Sequence, residues 1–81
     1  MIVYAISSEV RNYIYVGMTA NLERRLEEHS KGYNKSTKAY RPLKLIYTEE
    51  CEDRISARTR EKYWKSGVGK EKLRKIRDQK I

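Results

Sequence analysis

Three short runs of β-branched and aromatic residues interrupt an otherwise polar chain: residues 2–7 (IVYAIS), 13–17 (YIYVG) and Leu43–Thr48 (LKLIYT). Such runs predict strands, because branched and aromatic side chains pack well on a pleated surface. The segment SEVRN joins the first two without the glycine of the tightest hairpins. With the turn between residues 7 and 12, Tyr4 would face Tyr15, and opposed residues point to one face of a sheet. From Leu22 the apolar spacing changes to four. Leu22 and Leu26 form the buried line of a helix over about Leu22–Ser30, opened by Asn21 or Thr19 and closed by Gly32.

Residues 31–42 (KGYNKSTKAYRP) hold turn residues and no apolar period, which predicts an exposed basic loop. EECED then leads into a helix over about Arg54–Ser66, with acids near its positive end. Gly67 and Gly69 break that helix before a last one over about Lys70–Lys80, docked by Leu73 and Ile76. The order is β-β-α-β-α-α. It predicts an α+β fold (an α/β sandwich), with a small three-stranded, mainly antiparallel sheet flanked by about three helices.

Length and composition narrow this picture. In 81 residues two cores would each be too small to be stable, so one domain over 1–81 is expected. The chain has no Phe, so seven Tyr and Trp64 must supply the bulky packing, and some hydroxyls will reach water or a ligand. The formal charge of +8 favours polyanions, and it is uneven: +2 over residues 1–50 and +6 over 51–81. Cys51 is alone, which excludes a disulfide framework or a cysteine metal cluster within one chain and suits a structural thiol. The opening run MIVYAI is too short for a signal sequence and lacks a basic lead, and no stretch reaches membrane-spanning length. A cytoplasmic protein without membrane association is expected.

Chemistry enters at two places. At about 100° per residue, Arg25 lies roughly 60° to one side of Leu22 and His29 about 20° away, so both edge the buried line of the first helix. On the second helix Ala57, Glu61 and Trp64 share one face. A carboxylate between Ala and Trp is costly unless it is paired with an arginine or binds a cation. One carboxylate suits Mg²⁺, which keeps several waters and takes substrate phosphate. The chain has no Gly-rich phosphate loop, no His-rich or Cys-rich cluster and no nucleophilic triad.

Taken together, these features resemble the GIY-YIG nuclease family. The likeness runs through VYAI at 3–6, YVG at 15–17, NLERRLEEH at 21–29, STKAYRPLKLIY at 36–47 and ARTREKYWKSG at 57–67. In detail the chain is similar to the small, free-standing bacterial members. It departs in Ile2 before Val3-Tyr4, where the first motif has its glycine, in Val16 for Ile, and in Arg58 where relatives often carry an apolar residue. The late asparagine of some homing-type members has no counterpart here, and nothing is carried over for it.

The resemblance implies phosphodiester hydrolysis with one divalent ion, Mg²⁺ or Mn²⁺. It implies that Glu61 holds the metal, Tyr4 activates or positions the attacking water, and Tyr15 hydrogen-bonds water or phosphate. Arg25 clamps phosphate oxygens, His29 takes the proton of Tyr4, and Gly17 lets the backbone turn closely before the helix. A free phenol titrates near 10, so Tyr4 needs such help to act as a base. DNA would be held by phosphate contacts from Lys35, Lys38, Arg41, Lys70 and Arg74, with little sequence reading and structure-biased or non-specific cutting. RNA stays open as a substrate, and the expected state is a monomer or weak homodimer. The competing expectation is a nucleic-acid-binding module without cleavage. Repair and recombination are the processes where such an endonuclease would serve.

Overall fold

The computed structural model describes residues 1–79. The elements are β1 (Ile2–Ser8), β2 (Ile14–Thr19), α1 (Leu22–Ser30), α2 (Lys35–Lys38), β3 (Leu43–Glu50), α3 (Arg54–Lys65) and α4 (Gly67–Arg77). The strands form one sheet in the order β2-β1-β3, antiparallel throughout. The α+β fold expected from the sequence is therefore present, with one addition. The stretch read as an exposed basic loop contains the single turn α2, whose Thr37 is fully buried.

The hairpin register differs from the expected one by two residues. Tyr4 pairs with Gly17, and Tyr15 pairs with Ile6. The cause lies in the turn. Ser8 stays in β1 and its hydroxyl accepts from the amides of Val10 and Arg11, while its own amide donates to Tyr13 O. That local hydroxyl turn moves the connection one residue along the chain. A shift of two keeps every side chain on its face, so Tyr4 and Tyr15 still share one, now as diagonal neighbours.

On the other face Val3, Ala5, Ile14 and Val16 pack against Ala57 and Trp64 of α3 and Leu73 of α4. Each fully buried large aliphatic side chain in such a core contributes about 1.5–3 kcal/mol. Because Tyr47 and Glu49 share this face through their pairing with Ala5 and Val3, a carboxylate also points toward α3. Glu49 accepts from Arg60 through both oxygens, from Trp64 Nε1 at 3.0 Å and from the Tyr47 hydroxyl at 2.8 Å. The Arg60 guanidinium, helped by Trp64 and Tyr47 against the cost of burial, holds the Glu49 carboxyl down at about 2.

The α3–α4 corner corrects the sequence reading. Gly67 and Gly69 do not separate the helices but lie in the first turn of α4, which begins at Gly67 rather than Lys70; the expected end at Lys80 lies outside the described residues. Ser66 closes α3 and caps α4, its hydroxyl accepting from Gly69 N at 3.2 Å. This fold-back presses Gly69 onto α3, and a Cβ there would meet Tyr63 O and lie 2.6 Å from Trp64 Cα. None of the helices over the described residues is long and apolar enough to cross a membrane.

Two stability measurements check these contacts. Gly69→Ala should lower the unfolding free energy by about 1–3 kcal/mol, since backbone cannot yield as a side chain can. Gly67→Ala, with nothing within 4 Å, should be neutral or stabilise by up to about 1 kcal/mol in the same urea titrations. Glu49 has its folded pKa below its unfolded value of 4.5. Its contribution is therefore complete above 4.5 and disappears as pH falls toward 2. Melting temperatures of the wild type should drop across that window, and Glu49→Gln should flatten the drop while lowering the neutral-pH value.

Candidate functional site

The sheet face opposite the apolar core carries Tyr4, Ile6, Tyr15 and Gly17, and it is covered by α1 and α2 rather than by α3 and α4. Tyr4 and Ile6 are almost completely buried there. Gly17 directly opposes Tyr4, and a Cβ at Gly17 would stand 2.7 Å from the Tyr4 hydroxyl oxygen and 3.0 Å from the Tyr15 ring. Only a residue without a side chain lets the Tyr4 ring lie across the neighbouring strand.

The capping expected for α1 is observed. Asn21 accepts from Arg24 N, Thr19 Oγ1 accepts from Asn21 N, and Gly32 follows the last turn with a φ of 80°. The anchor differs from expectation. Leu22 and Leu26 are only partly buried, and the buried residue of α1 is His29, 1% exposed. A helix over a sheet face lined with phenols finds polar partners there, so an imidazole docks it where the sequence suggested leucines.

His29 stands between two hydroxyls. Its Nε2 is 2.8 Å from the Tyr4 hydroxyl and its Nδ1 is 2.8 Å from Thr37 Oγ1. The rings of Tyr4, Tyr15 and His29 form a triangle, with centroids 6.3, 5.8 and 5.1 Å apart. Burial, with Arg25 beside it, pushes the imidazole below its ordinary value, and Glu28 only partly offsets this. Burial pushes the Tyr4 phenol up to about 12; the Arg25 guanidinium pulls it back, while Tyr15 and Glu61 add to the rise. Tyr4 is thus a neutral phenol beside a neutral imidazole, and it needs more help to lose a proton than its sequence position implied.

Arg25 lies one turn before His29. Nη1 donates to Glu28 Oε1 at 3.3 Å, whereas Nε is buried and makes no well-formed hydrogen bond among the described residues, although the guanidinium interacts with the Tyr4 hydroxyl. A buried donor without a well-formed hydrogen bond costs about 1–3 kcal/mol, more when charged. An anion with oxygens to offer would satisfy it. Next to it, a cavity of about 80 Å³ is lined by Arg25, Glu28, His29, Tyr33 and Asn34.

Glu61 projects from α3 with its side chain 15% exposed, ion-paired to Arg58 Nε at 3.8 Å and to Lys65 Nζ at 3.4 Å. Its charge is nevertheless felt at Tyr4. The arginine pairing and an electrostatic reach to Tyr4 thus hold together. Among the described residues no three His, Cys, Asp or Glu gather into a metal-binding group. A single hard carboxylate still fits Mg²⁺, which takes one or two carboxylates and fills its remaining positions with water and substrate oxygens.

The expected phosphate-binding cations are dispersed. Lys35 and Lys38 are exposed on α2. Arg41 is occupied: Nε donates to Lys38 O at 3.0 Å and Nη1 to Ser30 O at 3.4 Å, closing the end of α1. Lys70 Nζ donates to Ile14 O, and burial, with Lys65 and Arg74 nearby, lowers its pKa. Lys70 and Arg74 line a cleft of about 270 Å³ with Asn12, Tyr13 and Ile14, and Tyr13 stacks on Tyr40 at 3.8 Å. Sequence reasoning overlooked Thr37, which no periodicity marks within a four-residue helix, and Glu49, which the alternation from Tyr47 could have placed inward.

The sequence model described as the GIY-YIG catalytic domain matches residues 1–75. A UPF0213 protein of Clostridium perfringens is 38% identical over 69 residues, covering 84% of this chain and 74% of that protein. A UPF0213 protein of Pediococcus pentosaceus is 39% identical over 64 residues, covering 78% and 67%. One of Desulfotalea psychrophila is 40% identical over 50 residues, covering 59% and 46%. No solved structure matches at comparable significance. With a family match over all but the last few residues and these relatives beside it, the chain belongs to the GIY-YIG catalytic domain family.

Proposed function

We propose that this chain is a divalent-metal-dependent endonuclease that hydrolyses phosphodiester bonds in DNA, with little sequence specificity and a bias toward DNA structure. The observation that carries the reading is the buried Nε of Arg25, which makes no well-formed hydrogen bond, beside the Tyr4–His29 hydrogen bond. It puts an anion-seeking donor and a proton-transfer pair at one point.

Each residue then has one task. His29, neutral at physiological pH, takes the proton of the Tyr4 hydroxyl as the phenol oxygen takes a proton from the attacking water. Arg25 donates to the phosphate oxygens and offsets the charge that develops on them. Tyr15 orients the water or the phosphate, and Gly17 keeps the space in which Tyr4 lies. Glu61 would hold one Mg²⁺ or Mn²⁺, which when bound polarises the phosphate and steadies the leaving oxygen. Lys35 and Lys38, together with Lys70 and Arg74 at their cleft, supply backbone contacts that fix position without reading bases.

A second reading, a nucleic-acid-binding module without cleavage, is favoured by one specific feature: Glu61 is held by two cations of its own helix. Plasmid and branched DNA incubated with Mg²⁺, Mn²⁺ or EDTA separate the two. Wild type should cleave with either ion and not with EDTA. Glu61→Gln and Arg25→Ala should each lose about 100-fold or more in rate, with melting temperatures close to wild type. Cleavage equal in wild type and Glu61→Gln would overturn the metal assignment, and a gel shift without cleavage would establish the binder. Affinity should fall steeply with salt, log K against log salt having a slope of about −0.9 per phosphate neutralised. A flat response would contradict phosphate-dominated binding.

A further inference from the structure

Thr37 is fully buried, uncharged and outside the set of residues that the mechanism uses, yet its hydroxyl is the sole partner of His29 Nδ1 among the described residues. It sits in α2, a single turn capped by Asn34, whose side chain accepts from Ser36 N at 2.9 Å. The backbone carbonyl of the same Asn34 receives the amides of Thr37 and Lys38 and lies 3.5 Å from Thr37 Oγ1. The Thr37 proton therefore has an acceptor other than His29.

We infer that Thr37 is a positioning residue: it holds His29 as the Nδ1–H tautomer and so leaves Nε2 as the acceptor that faces Tyr4. The inference rests on the nuclease reading for its purpose but on donor and acceptor counting for its content. The Tyr4 hydroxyl has one proton and one neighbour able to accept it, His29 Nε2. Arg25, the cation beside it, can only donate. If Nε2 carried a proton, the phenol oxygen would face donors alone and its own buried proton would have no acceptor. With the proton on Nδ1 the chain closes. Nδ1–H donates to Thr37, Thr37 donates to Asn34 O, and Tyr4 donates to Nε2. A buried network satisfied throughout outweighs one with an orphaned hydroxyl.

The surroundings favour a neutral ring that must choose between two tautomers. The titratable and charged groups facing it are Tyr4 on β1, Tyr15 on β2, and Arg25 and Glu28 on α1, while α2 presents the uncharged Thr37. In this arrangement Thr37 does for His29 what a buried hydrogen-bond acceptor does for any catalytic imidazole: it fixes which nitrogen is basic and where the ring points.

Because His29 is the sole histidine, long-range ¹H–¹⁵N correlation spectra of the free protein near neutral pH report its tautomer without overlap. In wild type and Thr37→Ser, Nδ1 should show the shift of a protonated ring nitrogen and Nε2 that of an unprotonated one. Thr37→Val, which keeps the shape and removes the hydroxyl, should give a mixture of tautomers. In cleavage assays Thr37→Val should lose about 10-fold or more in kcat with KM little changed, and Thr37→Ser should recover most of it. A protonated Nε2 in wild type would overturn the inference. So would an unchanged tautomer in Thr37→Val, whereas the tautomer result stands or falls independently of any DNA cleavage.

Discussion

The buried imidazole of His29 is what the cleft-side half of the structure depends on. No other residue of α1 is fully buried, and the His29 ring ties the helix to the sheet through Tyr4 and to α2 through Thr37. A leucine at this place would contribute burial energy without direction. The imidazole contributes direction as well, because each nitrogen accepts only one sort of partner at one angle. Arg25 inherits its place from that anchor, being one turn away on the same helix.

The sheet thus separates two kinds of interior. Toward α3 and α4 it presents small and branched side chains, and the packing there is apolar, with Trp64 and Leu73 as its largest pieces. Toward α1 and α2 it presents phenols, and the packing is a hydrogen-bonded chain of hydroxyl, imidazole and hydroxyl. Such a division is unusual in 81 residues, where the apolar material is already scarce. It follows from strand alternation: the residues between Val3, Ala5, Val16 and Met18 belong to the other face. A chain this small can hold a polar interior on one side because the opposite side supplies the cohesion.

Much of this was legible from residue type and spacing. The three strands, the caps of α1, the shared face of Tyr4 and Tyr15, and the shared face of Ala57, Glu61 and Trp64 all follow from periods of two and 3.6. What escaped depended on single side chains acting on backbone. The Ser8 hydroxyl moved the hairpin turn by one residue by binding two amides, and no periodicity encodes that. The pair Gly67 and Gly69 read as a break, although only a close helix corner distinguishes a glycine that ends a helix from one that lets two helices touch. His29 was placed beside the buried line of Leu22 and Leu26, but not as the residue that anchors the helix, since a lone histidine carries no pattern of its own. Thr37 was hidden for the same reason, inside a stretch whose lysines dominated its reading.

Arg60 and Glu61 are consecutive on α3, and they point to different places. Arg60 grips Glu49 of β3 with both ends of its fork, while the next side chain reaches the field of Tyr4. A helix can turn about its own axis, and a step of one residue is about 100°. The two-pronged grip acts as a key in a shaft: it indexes the rotation of α3. The angular setting of the carboxylate is therefore decided on the far side of the sheet, by a pair outside the Tyr4–His29 site. Divergence among relatives at that remote pair would retune the alignment of Glu61 while every residue of the cleft stayed the same.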